Sequence, residues 1–207
     1  MIKCQIIESP FGGVLLGWCY GKIVFCHFAL PSLEAMLERV RSDFPGEEIV
    51  CGEICLGSGD GVRKWGNYFG ARGAAFTFDD LLKGRESIFV WEDLQVQGTE
   101  LQVAVWREMF RLQPGELITY SQLAARCGYP RAVRAVASAV GKNPISLIIP
   151  CHRVVRSEAF VHRGGEFATE GGSAGKECGK INVSKLGNYY WGKELKIKIL
   201  EWEGIIL

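Results

Sequence analysis

The chain has 207 residues, 48% of them hydrophobic and 23% charged, with a formal net charge of +1. That composition suits a globular protein with a real core and excludes a disordered chain, a collagen-like repeat or a strongly basic tail. No apolar run approaches the ~18 residues needed to span a bilayer, and Met1-Ile2-Lys3-Cys4-Gln5 lacks the basic-then-apolar layout of a signal peptide. The eight cysteines are irregularly spaced in a chain too long for a small disulfide scaffold. Free thiols in a reducing, intracellular compartment are therefore expected.

The first third reads as short strands. Ile6 to Ser9 and Val14 to Trp18 flank the turn cluster Pro10-Phe11-Gly12-Gly13, and a second turn at Tyr20-Gly21-Lys22 leads to a strand from Ile23 to Phe28. Pro31-Ser32 opens a helix in which Leu33, Met36, Leu37 and Val40 form one stripe. Cys51 to Gly61 is Gly-rich without a periodic signal, Phe69 to Gly73 and Phe76 to Leu82 are mixed, and Ile88 to Trp91 reads as a strand. Cys4, Cys19, Cys26 and His27 fit no zinc-ligand spacing, and strand cysteines pack as small hydrophobes. The N-terminal part is read as structural, with no chemistry assigned.

From Gly98 the pattern sharpens. Thr99 and Gln102 make a capping box ahead of Leu101, Val105, Met109 and Leu112 at helical spacing, and Pro114-Gly115 ends the element. Leu117 to Tyr120 follows, then a short helix from Ser121 to Cys127 with Gly128 placed as its C-terminal cap. Pro130 suits the first position of a second helix, Arg131 to Gly141. There Val133, Val136 and Val140 gather on one side and Arg131, Arg134, Ala135, Ser138 and Lys142 on the other. Helix, tight turn and basic-faced helix describe a helix-turn-helix. Charge supports it moderately. Residues 1–98 balance at −4 and residues 99–207 at +5, and from Arg126 to Arg163 seven basic residues meet one acid, Glu158. Charge alone leaves nucleic-acid binding and a solvated surface helix both open.

The apolar run Leu147 to Ile149 then delivers Pro150-Cys151-His152-Arg153-Val154. A continuous apolar run reads as buried backbone, with the thiol at a pocket floor. A thiol is a nucleophile only as thiolate and needs a base. His152 is adjacent, but neighbours in an extended segment point to opposite faces, so a bend or a third group is needed. Chemistry alone leaves Cys151 either a nucleophile or a packing cysteine. Residues 157–187, with Gly164-Gly165 and Gly171-Gly172-Ser173-Ala174-Gly175, read as a long mobile loop. Order is expected to return at Asn188, ahead of a last helix with Leu195, Ile199 and Trp202 on one stripe and Glu203 near its end.

Asn143-Pro144 with Pro150-Cys151-His152-Arg153-Val154 resembles the signature of the O6-alkylguanine-DNA alkyltransferases. The likeness extends through Gly98 to Trp106, Thr119-Tyr120, Arg134-Ala135-Val136 and Asn188-Tyr189…Gly192…Lys196…Leu200…Glu203. It implies a two-domain α/β (α+β) protein. Residues 1–97 would form a ribonuclease-H-like small sheet with a helix, and residues 98–207 a winged-helix-like domain carrying the helix-turn-helix and the active-site cysteine. The implied function is stoichiometric repair in which Cys151 takes the alkyl group, mainly methyl, from O6-alkylguanine flipped out of duplex DNA. The resemblance gives His152 as base through a water, Glu203 as its orienter, Asn143 as the tie between helix and active-site loop, and Tyr120 as proton donor to guanine N3. Arg134 would replace the flipped nucleotide, while Arg131, Ala135, Ser138 and Lys142 would face DNA in the minor groove. Val154, Tyr189, Tyr190 and Trp191 would hold the base, the backbone of Cys151, Val154 and Tyr190 reading its edge. No metal or organic cofactor is implied, nor any membrane. A monomer is expected, cytoplasmic and nucleoid-associated, or nuclear in a eukaryote.

Three departures from the family pattern stand out. Ser146 replaces a frequent proline, which would open one pocket wall. Trp191 replaces glycine and would crowd the pocket, as in the C-terminal half of the bacterial adaptive-response protein. The insertion after Val155 would be a lid, a DNA-contacting arm or a neutral surface loop. The alternatives to repair are a non-catalytic damage sensor or regulator, disfavoured because Cys151 is present, and a cysteine hydrolase, for which no third triad member is evident.

Overall fold

The computed structural model describes residues 1–51, 78–82, 89–160 and 181–207. Most of the glycine-rich 51–61 segment, the mixed 69–77 stretch, Ile88 and the middle of the 157–187 insertion fall outside the described residues. Strands β1 (Ile2–Ser9), β2 (Gly12–Cys19) and β3 (Lys22–Phe28) form an antiparallel meander, with the first strand starting four residues earlier than the sequence suggested. The Tyr20-Gly21 turn has φ of 49° and 75°, the left-handed pair that matches the twist of a two-residue hairpin. Helix α1 (Leu33–Asp43) starts where Ser32 Oγ accepts the Ala35 N–H at 3.2 Å, and buries Met36 and Val40. It returns the chain to β4 (Ile49–Cys51), parallel to β1, giving the order β3-β2-β1-β4.

Alternation along the strands, broken where a bulge at Val24 faces Gly17 and Trp18, sends side chains to opposite faces. Cys4, Leu15, Val24 and Phe25 pack with Met36 and Val40 under α1, while Ile7, Val14, Leu16, Ile23, Cys26 and Phe28 join a core shared with the C-terminal half. That core runs across the boundary expected at residue 97. Cys4 and Cys26 are buried, as expected of strand cysteines. The free-thiol reading fails for one pair, however, because a disulfide joins Cys4 to Cys51. The two are register partners of the parallel β1–β4 pair, a proximity that spacing in sequence does not reveal.

Helix α2 (Phe78–Leu82) supplies Phe78, Leu81 and Leu82 to the shared core. Of the strand expected at 88–91, the described residues 89–91 are not strand: Trp91–Asp93 make a single 3-10 turn, held by Asp93 Oδ2 accepting the Val90 N–H at 2.8 Å. Helix α3 (Glu100–Phe110) carries the expected capping box, Thr99 N–H to Gln102 Oε1 at 2.8 Å and the return bond at 3.3 Å. After β5 (Ile118–Thr119), helix α4 (Tyr120–Arg126) begins with a second capping box, Thr119 with Gln122, that the sequence offered and our reading missed. Thr99→Ala and Thr119→Ala should each lower the unfolding free energy by about 1 kcal/mol. Urea midpoints would show it, with Thr→Ser retaining most of the stability.

Gly128, at φ 82°, ends α4 in a Schellman motif: its N–H reaches Ala125 O at 3.0 Å and the Tyr129 N–H reaches Ala124 O at 2.8 Å. Helix α5 (Val133–Gly141) begins two residues later than expected, because Ala132 sits outside helical geometry with its N–H turned back to Tyr129 O at 2.9 Å. Pro130 and Arg131 thus belong to the turn. Strand β6 (Val154–Val155) lies parallel to β5, and helix α6 (Lys193–Trp202) closes the chain. Its buried face is Leu195, Lys196, Ile199 and Leu200; Trp202, expected on that stripe, is half exposed and donates to Asp79 at 3.1 Å.

The described ends of the insertion are ordered, against expectation. Ser157–Ala159 and Val183–Lys185 form 3-10 turns, Phe160 bridges to Ile181, and Ala159, Ile181 and Leu186 pack with Val155, Leu200 and Ile205. Among the described residues no helix is long and apolar enough to cross a membrane.

Candidate active site

The loop leaving α5 is where the molecule's parts meet. The Leu147–Ile149 run is fully buried, as its composition demands, but it is not extended. Leu147 has φ 70°, and the Ile149 N–H turns back to Ile145 O at 2.9 Å. The loop is docked onto the edge of β3: the Cys26 N–H reaches Pro144 O at 3.2 Å, and the Ser146 N–H reaches Cys26 O at 2.9 Å. Asn143 clamps both its ends, Nδ2 donating to Ile149 O at 2.6 Å and Oδ1 accepting from the Ile145 N–H at 3.1 Å. The N-terminal sheet therefore positions the active-site loop.

Pro150 releases the chain into one 3-10 turn, Cys151–Arg153, which supplies the bend that the adjacent thiol and imidazole required. Cys151 is 8% exposed and lines a cavity of about 660 Å³. Burial pushes its pKa up; the Asn143 side chain, the Lys196 charge and the backbone N–H groups of Cys151 and His152 pull it part of the way back. Cys151 thus rests as a thiol.

His152, next to it in the chain, is fully buried. His152 Nε2 lies 2.9 Å from Glu203 Oε1, and Nδ1 has no hydrogen-bond partner among the described residues. Glu203 also takes Arg153: Nε at 3.1 and 3.2 Å and Nη2 at 2.6 Å. Burial alone would raise the Glu203 pKa, but His152 and Arg153 outweigh it and hold the carboxyl at about 2. Burial lowers the His152 pKa against the opposing pull of Glu203. A neutral imidazole against a firm carboxylate must place its proton on Nε2, which leaves Nδ1 as a free lone pair. Glu203 occupies the C-cap of α6, where Gly204 and Ile205 bond back to Glu201 O at 2.9 Å and Leu200 O at 3.0 Å in a second Schellman motif.

The cavity wall comes from both halves of the chain: Tyr120, Tyr189, Tyr190 and Trp191 from one, Phe25 and His27 from the other. The N-terminal part, read from sequence as structural only, thus supplies pocket residues. Burial and the Arg39 charge hold His27 neutral, with a pKa of about 3. Tyr189 is buried, its hydroxyl without a hydrogen-bond partner among the described residues, and Arg39 lies 4.3 Å over the exposed Tyr190 ring. Ser146 does not open the wall. It accepts the Trp191 Nε1 hydrogen at 3.2 Å, so the two departures from the family pattern form one unit. The indole meets Tyr190 edge-on at 4.8 Å and Phe28 edge-on at 6.0 Å.

Arg131, Arg134, Ala135, Ser138 and Lys142 are all exposed on one side of the turn and α5, and Lys142 reaches the cavity rim. Behind them Trp106 Nε1 of α3 donates to Ala139 O at 2.8 Å and fixes α5. Val154 is fully buried and does not line the cavity; its carbonyl accepts Lys196 Nζ at 2.6 Å.

Two buried cations went unassigned in the sequence reading. Arg153 also donates to Leu112 O at 2.7 Å and Leu82 O at 2.5 Å. Lys196 holds Leu186 O at 3.2 Å, and burial brings its pKa down to about 8. A charged residue on the apolar stripe of the last helix was the available signal for Lys196. Since its charge lowers the Cys151 pKa, Lys196→Met should move the thiol titration to higher pH, read from the pH dependence of iodoacetamide alkylation. An unchanged titration would remove Lys196 from the site's electrostatics.

Residues 100–174 match the family described as 6-O-methylguanine DNA methyltransferase, DNA binding domain. The methylated-DNA--protein-cysteine methyltransferase of Methanosarcina barkeri is 46% identical over 154 residues, covering 74% of this chain and 82% of that protein. That of Haemophilus influenzae is 46% identical over 78 residues, 38% of this chain and 44% of that protein. The chain spans less than two thirds of the length of several relatives it matches. The structure of Mycobacterium tuberculosis OGT in complex with DNA shares the mixed α/β fold, with TM-score 0.60 and 23% identity over 97% of this chain and 92% of that one. On the Methanosarcina barkeri match, the chain belongs to the methylated-DNA--protein-cysteine methyltransferase family.

Proposed function

We propose that the protein repairs duplex DNA in a single turnover, moving the alkyl group of O6-alkylguanine, mainly methyl, onto Cys151. The observation that carries this reading is a buried thiol at a cavity floor, beside a neutral imidazole whose Nε2 proton is fixed by a carboxylate. His152 Nδ1 is the lone pair for the thiol proton, reached through a water, and Glu203 keeps that tautomer. Cys151 Sγ bonds the alkyl carbon as the carbon–O6 bond breaks, and Tyr120 gives a proton to guanine N3. A thioether is a poor leaving group, so each molecule acts once.

α4 and α5 form the helix-turn-helix. Small residues on the α5 face suit the close approach that a minor groove requires, and Arg134 fills the space of the flipped nucleotide. Tyr189, Tyr190 and Trp191 wall the base, and the backbone of Cys151 and Tyr190 reads its edge; Val154, whose carbonyl is taken by Lys196, stands behind the cavity. In architectural terms residues 1–97 are the ribonuclease-H-like part and 98–207 the winged-helix-like part. The protein acts as a monomer.

The test is duplex DNA carrying labelled O6-methylguanine. One methyl on the Cys151 peptide, with a stoichiometry of one per chain and no turnover, is the expected result. Binding without any mass change would point instead to a damage sensor and overturn the repair reading.

A further inference from the structure

Strands β5 and β6 run parallel, with Ile118 opposite Val154 and Thr119 opposite Val155. Tyr120 and Arg156 are the residues that directly follow those two pairs. Gly187 lies close to both. A Cβ on Gly187 would lie 3.4 Å from Arg156 Cγ and 3.5 Å from both Tyr120 Oη and Cε2. Gly187 has φ 90°, a conformation that suits glycine and lets the backbone pass this close. Tyr120 lines the cavity floored by Cys151, while Arg156 is exposed beside it. Among the described residues no carboxylate forms an ion pair with Arg156.

We propose that Arg156 is a positioning residue for the transfer reaction, acting through Tyr120: its guanidinium stabilises the negative charge left on the phenol oxygen when Tyr120 gives up its proton. The proposal rests on the repair reading above. As the Cys151 Sγ–carbon bond forms, the bond pair of the breaking carbon–O6 bond passes to the purine. The Tyr120 hydroxyl proton moves to purine N3, and the phenolate beside Arg156 recovers a proton from solvent. His152 holds the proton of the thiol throughout.

The environment of Tyr120 shows why such help is needed. Burial raises its pKa, an ionised Cys151 raises it further, and Arg156 is the group that lowers it. Lys196, the other nearby cation, has its Nζ on the Val154 and Leu186 carbonyls. A buried phenol is a weak acid, and general-acid efficiency follows acid strength.

Two measurements test the proposal. In the first, rapid-quench single-turnover methyl transfer from saturating duplex DNA is compared for native protein, Arg156→Gln, Arg156→Lys, Tyr120→Phe and the Arg156→Gln/Tyr120→Phe double variant. Arg156→Gln should slow transfer by about tenfold, and Arg156→Lys should recover most of it. Added to Tyr120→Phe, Arg156→Gln should cost nothing further. An equal slowing in that background overturns the proposal, as does weaker DNA binding at an unchanged saturated rate, which would place Arg156 on a phosphate. In the second, the phenolate absorbance of Tyr120 is titrated in free protein, with Tyr120→Phe as blank. Arg156→Gln should move it to higher pH, and an unmoved titration overturns the proposal. Native protein that transfers no methyl would sink the repair reading itself, whereas the titration tests the Arg156–Tyr120 pair independently.

Discussion

Glu203→Ala should destabilise the protein by about 3–5 kcal/mol, because it strands a buried guanidinium. Arg153 is fully buried and gives Glu203 three of its contacts, so removing the carboxylate leaves an uncompensated charge in the core. The same substitution frees the His152 tautomer, and methyl transfer should fall by about 100-fold. Glu203→Gln keeps the shape without the charge and separates the two effects, retaining more stability than activity. The pH dependence has a definite sign. The folded carboxyl sits at about 2 against an ordinary value of 4.5, so its contribution is complete above 4.5 and is lost as pH falls toward 2. The stability gap between native and alanine proteins should therefore close across that window in acid urea titrations. A gap that is small at neutral pH, or flat with acid, would contradict the assignment.

Trp191→Gly should raise the rate of reaction with O6-benzylguanine about tenfold or more, since removing a bulky wall in a fitted pocket is worth on the order of 1–3 kcal/mol of discrimination. Methyl transfer should change far less, because a methyl group does not need the space. The indole is held by Ser146 and braced against Phe28, His27 and Tyr190. Ser146→Ala should therefore loosen the wall and give a smaller gain of the same sign. Equal benzyl sensitivity in native protein and Trp191→Gly would show that the indole does not limit access. The glycine protein should also lose stability, for it deletes a half-buried ring contact with both halves of the chain, and rates must be compared well below its melting range.

Local chemistry was legible in the sequence wherever it was self-contained. Thr99-Gln102 fixed the start of α3, Gly128 the end of α4, and the valine stripe the inward face of α5, since each depends on residues within four positions. What stayed hidden depends on pairing across distance. The Cys4–Cys51 bond follows from a parallel register, the Trp191–Ser146 bond spans two loops, and Arg153 finds acceptors at Leu82, Leu112 and Glu203. The Leu147–Ile149 run misled for a related reason. Composition reports burial faithfully, but a buried tight turn and a buried strand look alike over three residues. Likewise Ser157–Ala159 and Ile181 to Leu186 are ordered by pairing with each other and by packing against β6 and α6, which their own sequence does not announce.

The acceptors of Arg153 have a dynamic consequence. One guanidinium, two residues after the nucleophile, is tied to chain segments around residues 82, 112 and 203. Opening the Cys151–Arg153 turn would break all of these contacts together, so the turn should be among the last segments to exchange its amide protons. Slow exchange there, governed by global unfolding, would mean that DNA meets a site already set and that little ordering entropy remains to be lost on binding. The same coupling makes the number of competent molecules follow overall stability: a core substitution remote from the cavity should leave the rate constant of each folded molecule unchanged and reduce how many are folded.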